Sequence, residues 1–351
     1  MYRKLLIPML SLLLMVSACT INESDLYQSM DKIDAHVHIR TGEPAFMEYV
    51  SSEGFKLLTI NTRSESQAYI DQQKHFAVKM KELYPEDISW LATFSMEGFE
   101  EPLWAEGVIQ KLQEDLDQGA VGFKIWKDIG MTFQDSMGQF VFLDDPLFEP
   151  VMDFMVGSGL PLLTHIGEPR NCWLPIDSMT VNGDKSYFTD NPQYHMYLHP
   201  ESPSHERLME SRDHVLATYP DLNMIGAHLG SLEWDVDVLA ERLDRYPNFA
   251  VDLAARVCHF QVQDREKVRA FVLKYQDRIL YATDLGVTDK NYENRIEWLE
   301  NEWHSDWTYF ATGEMMSSDN VEGEFQGLGL DKSVLEKIYH TNALQWYPGA
   351  F

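Results

Sequence analysis

Ile33-Asp34-Ala35-His36-Val37-His38 is a short apolar strand that ends in two histidines. Side chains of a strand alternate between its two faces, so Asp34, His36 and His38 are predicted to point the same way. If they point into the mouth of a barrel, the two imidazoles lie side by side and can bind one cation. Asp34, one layer deeper, could then hold a ligand histidine through its second ring nitrogen. On its own, the His-x-His pattern also fits a pair of surface histidines.

Apolar runs rich in β-branched residues alternate along the chain with segments of helical period. The predicted strands are Ile33–Ile39, Phe55–Ile60, Ile88–Phe94, Val121–Trp126, Leu160–His165, Leu222–His228, Phe249–Leu253 and Ile279–Thr283. The predicted helices include Ser64–Leu83, Trp104–Gln118, His205–Tyr219, Val236–Arg245 and Arg265–Tyr275. Eight such alternations predict an α/β fold, a closed (β/α)8 TIM barrel with its active site at the C-terminal strand ends. The alternative, an open doubly wound sheet, would need a Gly-rich phosphate loop that this sequence lacks.

The spacing of the strands predicts an insertion after the fifth strand. A (β/α)8 barrel uses roughly 31 residues for each unit, whereas His165 and His228 are 63 residues apart. The extra segment, Gly167 to Pro203, leaves from the catalytic end of its strand. We therefore expect it to form a lid over the site.

The start of the chain predicts an export signal. Arg3 and Lys4 precede the apolar run Leu5 to Val16, which is too short to cross a bilayer but suits a signal peptide. The run leads into Val16-Ser17-Ala18-Cys19, which resembles a bacterial lipobox. Residues 1–18 are thus predicted to be a lipoprotein signal peptide, Cys19 to carry the lipid, and residues 19–30 to form a tether. The protein would then be an exported bacterial lipoprotein of the periplasm or outer membrane; an ordinary N-terminal helix with a stray cysteine is the alternative.

Residues 31–351 are predicted to form one barrel domain, for which a hydrophobic fraction of 44% supplies a core. The formal charge of −28 becomes −30 when Arg3 and Lys4 leave with residues 1–18. With no basic cluster to offset it, nucleic acid and anionic lipid are poor partners, and the membrane is contacted through the anchor only. A small molecule is the expected partner. Cys172 and Cys258 have no CxxC spacing, so a thiolate zinc site is not expected, and the sequence leaves their pairing open.

Polar side chains also stand at the ends of later strands. His165 ends the fifth strand, His228 ends the sixth, and Asp284 ends the eighth. Only in a barrel do these strand ends converge with the first one on a single point. The sequence therefore predicts a metal site at the barrel mouth.

This pattern resembles the amidohydrolase superfamily, whose members carry His-x-His on strand one, histidines on strands five and six, and an aspartate on strand eight. The resemblance runs from about Lys32 to about Tyr347. It is closest to the amidohydrolase-related branch of metal-dependent hydrolases, which also includes some decarboxylases and lactonases. It implies a metal site formed by His36, His38, Lys124, His165, His228 and Asp284. Relatives with one metal use His36, His38, His165 and Asp284 and leave His228 free.

Lys124, in Gly122-Phe123-Lys124-Ile125-Trp126, determines the number of metals that the resemblance implies. Many superfamily members have a lysine on strand four that reacts with carbon dioxide and bridges two metals as a carbamate. That reaction needs a neutral amine, so burial must lower the pKa of the lysine. In the alternative, Lys124 stays cationic and binds or orients a substrate carboxylate.

The ligand set predicts a divalent metal, Zn²⁺ first and Mn²⁺ or Fe²⁺ next, as one ion or two. Such an ion lowers the pKa of water and polarises a scissile carbonyl. Asp284 is expected to take the proton of the water, and His228 either to bind a second metal or to polarise the carbonyl. Further candidate substrate contacts are Glu168, Arg170, Trp126 and Arg256. Asp252, which ends the seventh strand with Arg256 close by, could orient a ligand or an anion. A surface ion pair of Glu168 with Arg170, and lid packing of Trp126, are the alternatives.

The sequence thus predicts a metal-dependent hydrolase of a small amide, lactone or ester-like substrate. One alternative is a metal-dependent, non-oxidative decarboxylase on the same scaffold, with Asp284 acting on carbon. The other is a binding lipoprotein without turnover, although a protein that only binds has no need of a metal and water site.

Overall fold

A computed structural model describes residues 23–63 and 66–351. The predicted signal peptide and Cys19 lie outside these residues. Among the described helices, none combines the length and the apolar character that a membrane span requires.

The barrel is built from parallel strands in two hydrogen-bonded groups. Their order is β3-β2-β1-β9 in one group and β4-β5-β6-β7-β8 in the other. The strands of the described chain are β1 (Lys32–Arg40), β2 (Phe55–Ile60), β3 (Ile88–Leu91), β4 (Phe123–Ile125), β5 (Leu162–Thr164), β6 (Met224–Gly226), β7 (Phe249–Asp252), β8 (Ile279–Leu280) and β9 (Leu285–Thr288), with a small antiparallel pair, β10 (Met315–Ser317) and β11 (Glu324–Gln326).

The two groups close into a ring. A bridge between Ala92 and Phe123 joins β3 to β4. On the opposite side, β8 pairs with β7 and β9 pairs with β1, so the eighth barrel strand consists of two short segments. The predicted (β/α)8 barrel is confirmed, and the open doubly wound sheet is wrong.

Helices alternate with the strands as predicted. They are α1 (Glu23–Ser29), α2 (Pro44–Ser52), α3 (Gln67–Leu83), α4 (Trp104–Asp117), α5 (Asp128–Met131), α6 (Glu149–Ser158), α7 (Asn182–Asp190), α8 (His205–Thr218), α9 (Ala227–Gly230), α10 (Val236–Arg245), α11 (Val257–Gln261), α12 (Arg265–Tyr275), α13 (Tyr292–Ala311), α14 (Lys332–Glu336) and α15 (Asn342–Trp346). The helix predicted from Ser64 begins at Gln67, because the Ser66 side chain accepts a hydrogen bond from the backbone N–H of Tyr69 and caps it.

One small core cluster marks the inside of the barrel. It takes one or two residues from most strands and is closed by residues near the C-terminus: Ile33, Ala35, Leu58, Ile60, Leu91, Leu163, Ile225, Ala227, Ala250, Leu280, Ala343, Trp346, Tyr347 and Ala350. The alternate residues of the same strands, such as Leu57, Phe123 and Phe249, belong to the larger core between strands and helices. This alternation assigns Lys124, His165 and Asp252 to the inner face.

The predicted tether overlaps the folded domain and is wrong from Glu23 onward. Residues 23–29 form α1, in which Leu26 and Tyr27 are buried. The buried Lys32 amine donates hydrogen bonds to the carbonyl oxygens of Tyr27 (2.7 Å) and Met30 (2.8 Å). The last carbonyl groups of a helix have no partner within the helix, and the Lys32 amine provides one. Because Lys32 is the first residue of β1, these hydrogen bonds attach α1 to the barrel.

The insertion of residues 167–203 has short elements of its own. Besides α7 it contains the 3₁₀ turns Arg170–Trp173, Ile176–Ser178, Pro192–Tyr194 and Met196–Leu198. Cys172, Met179 and Phe188 form a small separate core beneath them. Cys172 and Cys258 are both free thiols.

Candidate metal centre

His36 and His38 reach the inner face of the barrel because β1 contains a bulge. The register with β2 shifts between Asp34, opposite Leu57, and Val37, opposite Thr59, which adds one residue to β1. Before the bulge, Ile33 and Ala35 belong to the inner core; after it, Val37 belongs to the outer core. The two histidines therefore face inward, with ring centroids 5.6 Å apart.

The same bulge overturns the prediction for Asp34. Its carboxyl group is fully buried and accepts hydrogen bonds from Thr283 and from the Trp303 ring N–H, not from a histidine ring. Asp34 faces the outer layer because the extra residue reverses the alternation between positions 34 and 36. Burial raises the pKa of Asp34 to about 6, although these hydrogen bonds oppose the shift.

Asp252, at the end of β7, takes the role that had been expected of Asp34. Its Oδ2 lies 2.7 Å from Nδ1 of His36, and its Oδ1 accepts the backbone N–H of His228 at 2.7 Å. Burial alone would raise the pKa of Asp252, but His36 and His228 lower it, so it stays a carboxylate. A carboxylate on Nδ1 leaves Nε2 of His36 available to a metal.

His228 stands on a turn of unusual backbone. His228, Leu229, Gly230 and Ser231 all have positive φ, between 55° and 63°, a conformation that costs most residues energy and occurs where surrounding contacts enforce it. His205 donates from Nε2 to the Ser231 carbonyl at 2.9 Å. The His228 ring donates from Nδ1 to the Ala254 carbonyl at 2.8 Å, which leaves its Nε2 as the free ligand atom.

Asp284 is where the inward-facing residues meet. Its Oδ1 lies 3.1 Å from Nε2 of His38 and 3.3 Å from Nε2 of His36. One ligand atom each from His36, His228 and Asp284 lie within 4.8 Å of one another. Burial alone would raise the pKa of Asp284, but these histidines lower it below its ordinary value. Its side chain is 32% exposed, so the carboxylate also faces the barrel mouth.

Lys124 and His165 complete the group. The His165 ring centroid lies 4.2 Å from that of His228. Within residues 23–63 and 66–351, Lys124 Nζ, His165 Nε2 and His38 Nδ1 are buried atoms without a hydrogen-bond partner. Burial lowers the pKa of Lys124 to about 7, against the opposing charges of Asp252 and Asp284. Burial also lowers the pKa values of His38, His165 and His228.

These observations fit a divalent metal. Buried polar atoms normally have partners, and within the described residues this site leaves three buried nitrogens without one, on His38, Lys124 and His165. Neutral imidazole and carboxylate are ligands of Zn²⁺, Mn²⁺ and Fe²⁺. His36, His38, His165, His228 and Asp284 would hold such an ion.

Three of the four other predicted site residues line one of two cavities. Trp126 and Glu168 line one of about 550 Å³, together with Lys127 and with Tyr187 and Tyr194 of the insertion. Glu168 forms an ion pair with Lys127, not with Arg170 as the alternative had it.

Arg170 lies apart from that cavity lining and pairs instead with Glu206 at 3.0 Å. Arg256 lines a second cavity of about 370 Å³ that also reaches Thr283, the neighbour of Asp284. Burial would lower the pKa of Arg256, but Asp184 and Glu233 raise it.

Known proteins resemble this chain in sequence and in fold. A family model described as Amidohydrolase matches residues 99–349, which is most of the chain. The chain belongs to the amidohydrolase family. Members of this family are metal-dependent enzymes, which supports an enzyme here. The matched region begins after β1 and does not include His36 and His38. Their place beside Asp284 is therefore an observation of the structure alone. No curated protein matches the chain.

Solved structures share the fold at low sequence identity. A 2,6-dihydroxybenzoate decarboxylase from Rhizobium has a TM-score of 0.53 at 14% identity, over 91% of this chain and 98% of that chain. A 2,6-dihydroxybenzoate decarboxylase complexed with 2,6-dihydroxybenzoate has a TM-score of 0.52 at 14% identity, over 91% and 99%. An uncharacterized TIM-barrel protein from Bordetella bronchiseptica has a TM-score of 0.49 at 15% identity, over 90% and 98%.

Proposed function

We propose that this amidohydrolase-family chain is a metal-dependent hydrolase of a small amide, lactone or ester-like substrate. The observation that supports it best is the meeting of His36, His38 and His228 at Asp284, with the His165 ring packed against His228. When bound there, a divalent ion, with Zn²⁺ the first candidate, would polarise a carbonyl and make water nucleophilic near neutral pH.

Asp284 is proposed as the proton carrier. It is the group at the centre of the site that is both a carboxylate and partly exposed to the mouth, so substrate and water can reach it. Its oxygen accepts a proton from the attacking water and passes it to the leaving group. Asp252 holds His36 and His228 in place during this transfer through its 2.7 Å contacts.

Lys124 is proposed as the residue that sets the metal count. Its pKa of about 7 leaves a large neutral fraction at neutral pH, and its amine has no hydrogen-bond partner among the described residues. A neutral amine can add to carbon dioxide and form a carbamate, whose oxygens are ligands for two ions. A cationic Lys124 would instead bind a carboxylate of the substrate, which leaves one ion in the site.

The cavity lined by Trp126 and Glu168 is proposed to hold the rest of the substrate. Trp126 follows β4 directly, and Glu168 stands three residues after His165. With Tyr187 and Tyr194 from the insertion, they line about 550 Å³, a volume typical of small-molecule sites. On this proposal the insertion acts as a lid, and Arg256 contacts the substrate from the second cavity, beside Thr283.

Export and lipidation at Cys19 remain a proposal as well. They rest on the positive start, the apolar run and the small residues before Cys19. The acidic charge of the remainder agrees with a protein that meets the membrane through its anchor alone.

A substrate screen of the purified protein tests the proposed reaction. The panel contains simple amides, lactones, aryl esters and hydroxybenzoates, with product acid and released carbon dioxide measured separately. Hydrolysis of any of the first three that is lost in Asp284→Asn supports the proposal. Carbon dioxide release without hydrolysis would establish the decarboxylase alternative, to whose scaffold the 2,6-dihydroxybenzoate decarboxylases are similar. Metal binding with no turnover of the panel would favour a binding protein.

A further inference from the structure

Asp34 links the first and eighth barrel strands from outside the barrel. Its Oδ1 accepts the backbone N–H of Thr283 at 3.0 Å, and its Oδ2 accepts the Thr283 hydroxyl at 2.6 Å. The Trp303 ring N–H of α13 approaches Oδ2 at 3.4 Å. Asp34 and Thr283 are both buried, at 0% and 4% exposed. Two hydrogen bonds from one residue to the same carboxylate fix the position of that residue.

Thr283 directly precedes Asp284 at a break in the strand. β8 ends at Leu280 and pairs with β7, whereas β9 begins at Leu285 and pairs with β1. At the break, Asp284 has φ of 66°, a left-handed conformation that is uncommon for a residue with a side chain. The Thr283 hydroxyl also accepts a hydrogen bond from the backbone N–H of Leu285 at 3.2 Å. Thr283 is therefore bonded both to Asp34 and to the residue that follows Asp284.

We propose that Asp34 is the positioning residue of Asp284. By holding Thr283 through two hydrogen bonds, Asp34 keeps Asp284 in its left-handed conformation and its carboxylate among His36, His38 and His228. Asp34 thus acts on the site through Thr283 and touches neither metal nor substrate. The inference rests on the proposed function to the extent that Asp284 is taken as a metal ligand.

Asp34→Asn tests this role, because it keeps the size of the side chain and removes the charge and one acceptor. Asp306→Asn is the matched control, because Asp306 is also buried in this region but accepts a hydrogen bond from the Tyr281 hydroxyl at 2.9 Å, whereas Thr283 donates to Asp34. The probe is Zn²⁺ in competition with a chelator of known affinity. We expect Asp34→Asn to bind Zn²⁺ about 10–100-fold more weakly, the range found when a metal ligand loses its orientation, while Asp306→Asn binds as wild type does.

A merely structural role would lower the melting temperature of both variants and leave Zn²⁺ affinity equal, and that result would overturn the inference. Thr283→Val provides a second variant if Asp34→Asn does not fold; it should weaken Zn²⁺ binding, and Thr283→Ser should restore it. Crystal structures give a readout that needs no metal. Asp284 should leave the left-handed region in Asp34→Asn and keep it in Asp306→Asn. If wild type binds no Zn²⁺, the proposed function fails, while this backbone comparison still decides the role of Asp34.

Discussion

Replacing Asp252 with asparagine should weaken metal binding while the barrel stays folded. Asp252 makes one contact to each of two proposed ligands, at 2.7 Å to the His36 ring and 2.7 Å to the His228 backbone. An asparagine of the same size can retain an acceptor for one of them but not the charge. A hydrogen bond to a charged group contributes about 1.5–3 kcal/mol, and about 1.4 kcal/mol corresponds to a factor of ten in affinity.

Loss of one such contact therefore predicts a metal affinity lower by roughly 10–100-fold. The assay is chelator competition at fixed pH, with far-UV circular dichroism as a check of the fold. Asp115→Asn is the control, since Asp115 is a buried carboxylate that pairs with Lys74 between helices away from the site. Unchanged affinity in Asp252→Asn, or an equal fall in Asp115→Asn, would refute the assignment of Asp252 as the residue that orients these ligands.

Three further predictions concern the proton carrier, the metal count and the anchor. At saturating Zn²⁺, where a weaker affinity does not empty the site, Asp284→Asn should keep the fold and most of the metal while turnover falls at least ~10²-fold. Because the pKa of Asp284 is held below its ordinary value, the acid limb of the wild-type pH profile should lie below the usual carboxyl range and vanish in the variant. A near-normal rate with metal present would transfer the role to His228. Lys124→Ala should lower the metal content from two ions towards one, with partial rescue by bicarbonate or short carboxylates; one ion and an unmodified lysine in wild type would make Lys124 a substrate contact. Cys19→Ala should move the protein from membranes to the soluble fraction, and unchanged fractionation would contradict the lipobox.

The fold could be predicted because its signals are local. Apolar runs, helical periods and their alternation are each visible within about 20 residues, and Phe55–Ile60, Val236–Arg245 and Arg265–Tyr275 match the prediction at both ends. Polar residues at strand ends were sufficient to select the candidate site, because a barrel brings all of those ends to one mouth.

Features that depend on pairing between distant segments could not be predicted. The bulge in β1 exists only in its register with β2, and it moved Asp34 away from the histidines. The break between β8 and β9 depends on a change of partner from β7 to β1. Asp252 is visible in the sequence as an acid at the end of β7. Its two contacts could not be predicted, because they are made to His36, 216 positions away, and to His228, 24 positions away.

The metal content of purified wild-type protein tests the central claim most directly. Elemental analysis of wild type, His36→Ala/His38→Ala and a His199→Ala control is the measurement, because His199 lies in the insertion and bonds the Pro192 carbonyl. The proposed site predicts one or two transition-metal ions per chain in wild type and in His199→Ala, and loss of metal in the double variant. A double variant as fully loaded as wild type, or a wild type that takes up no divalent metal, would contradict it.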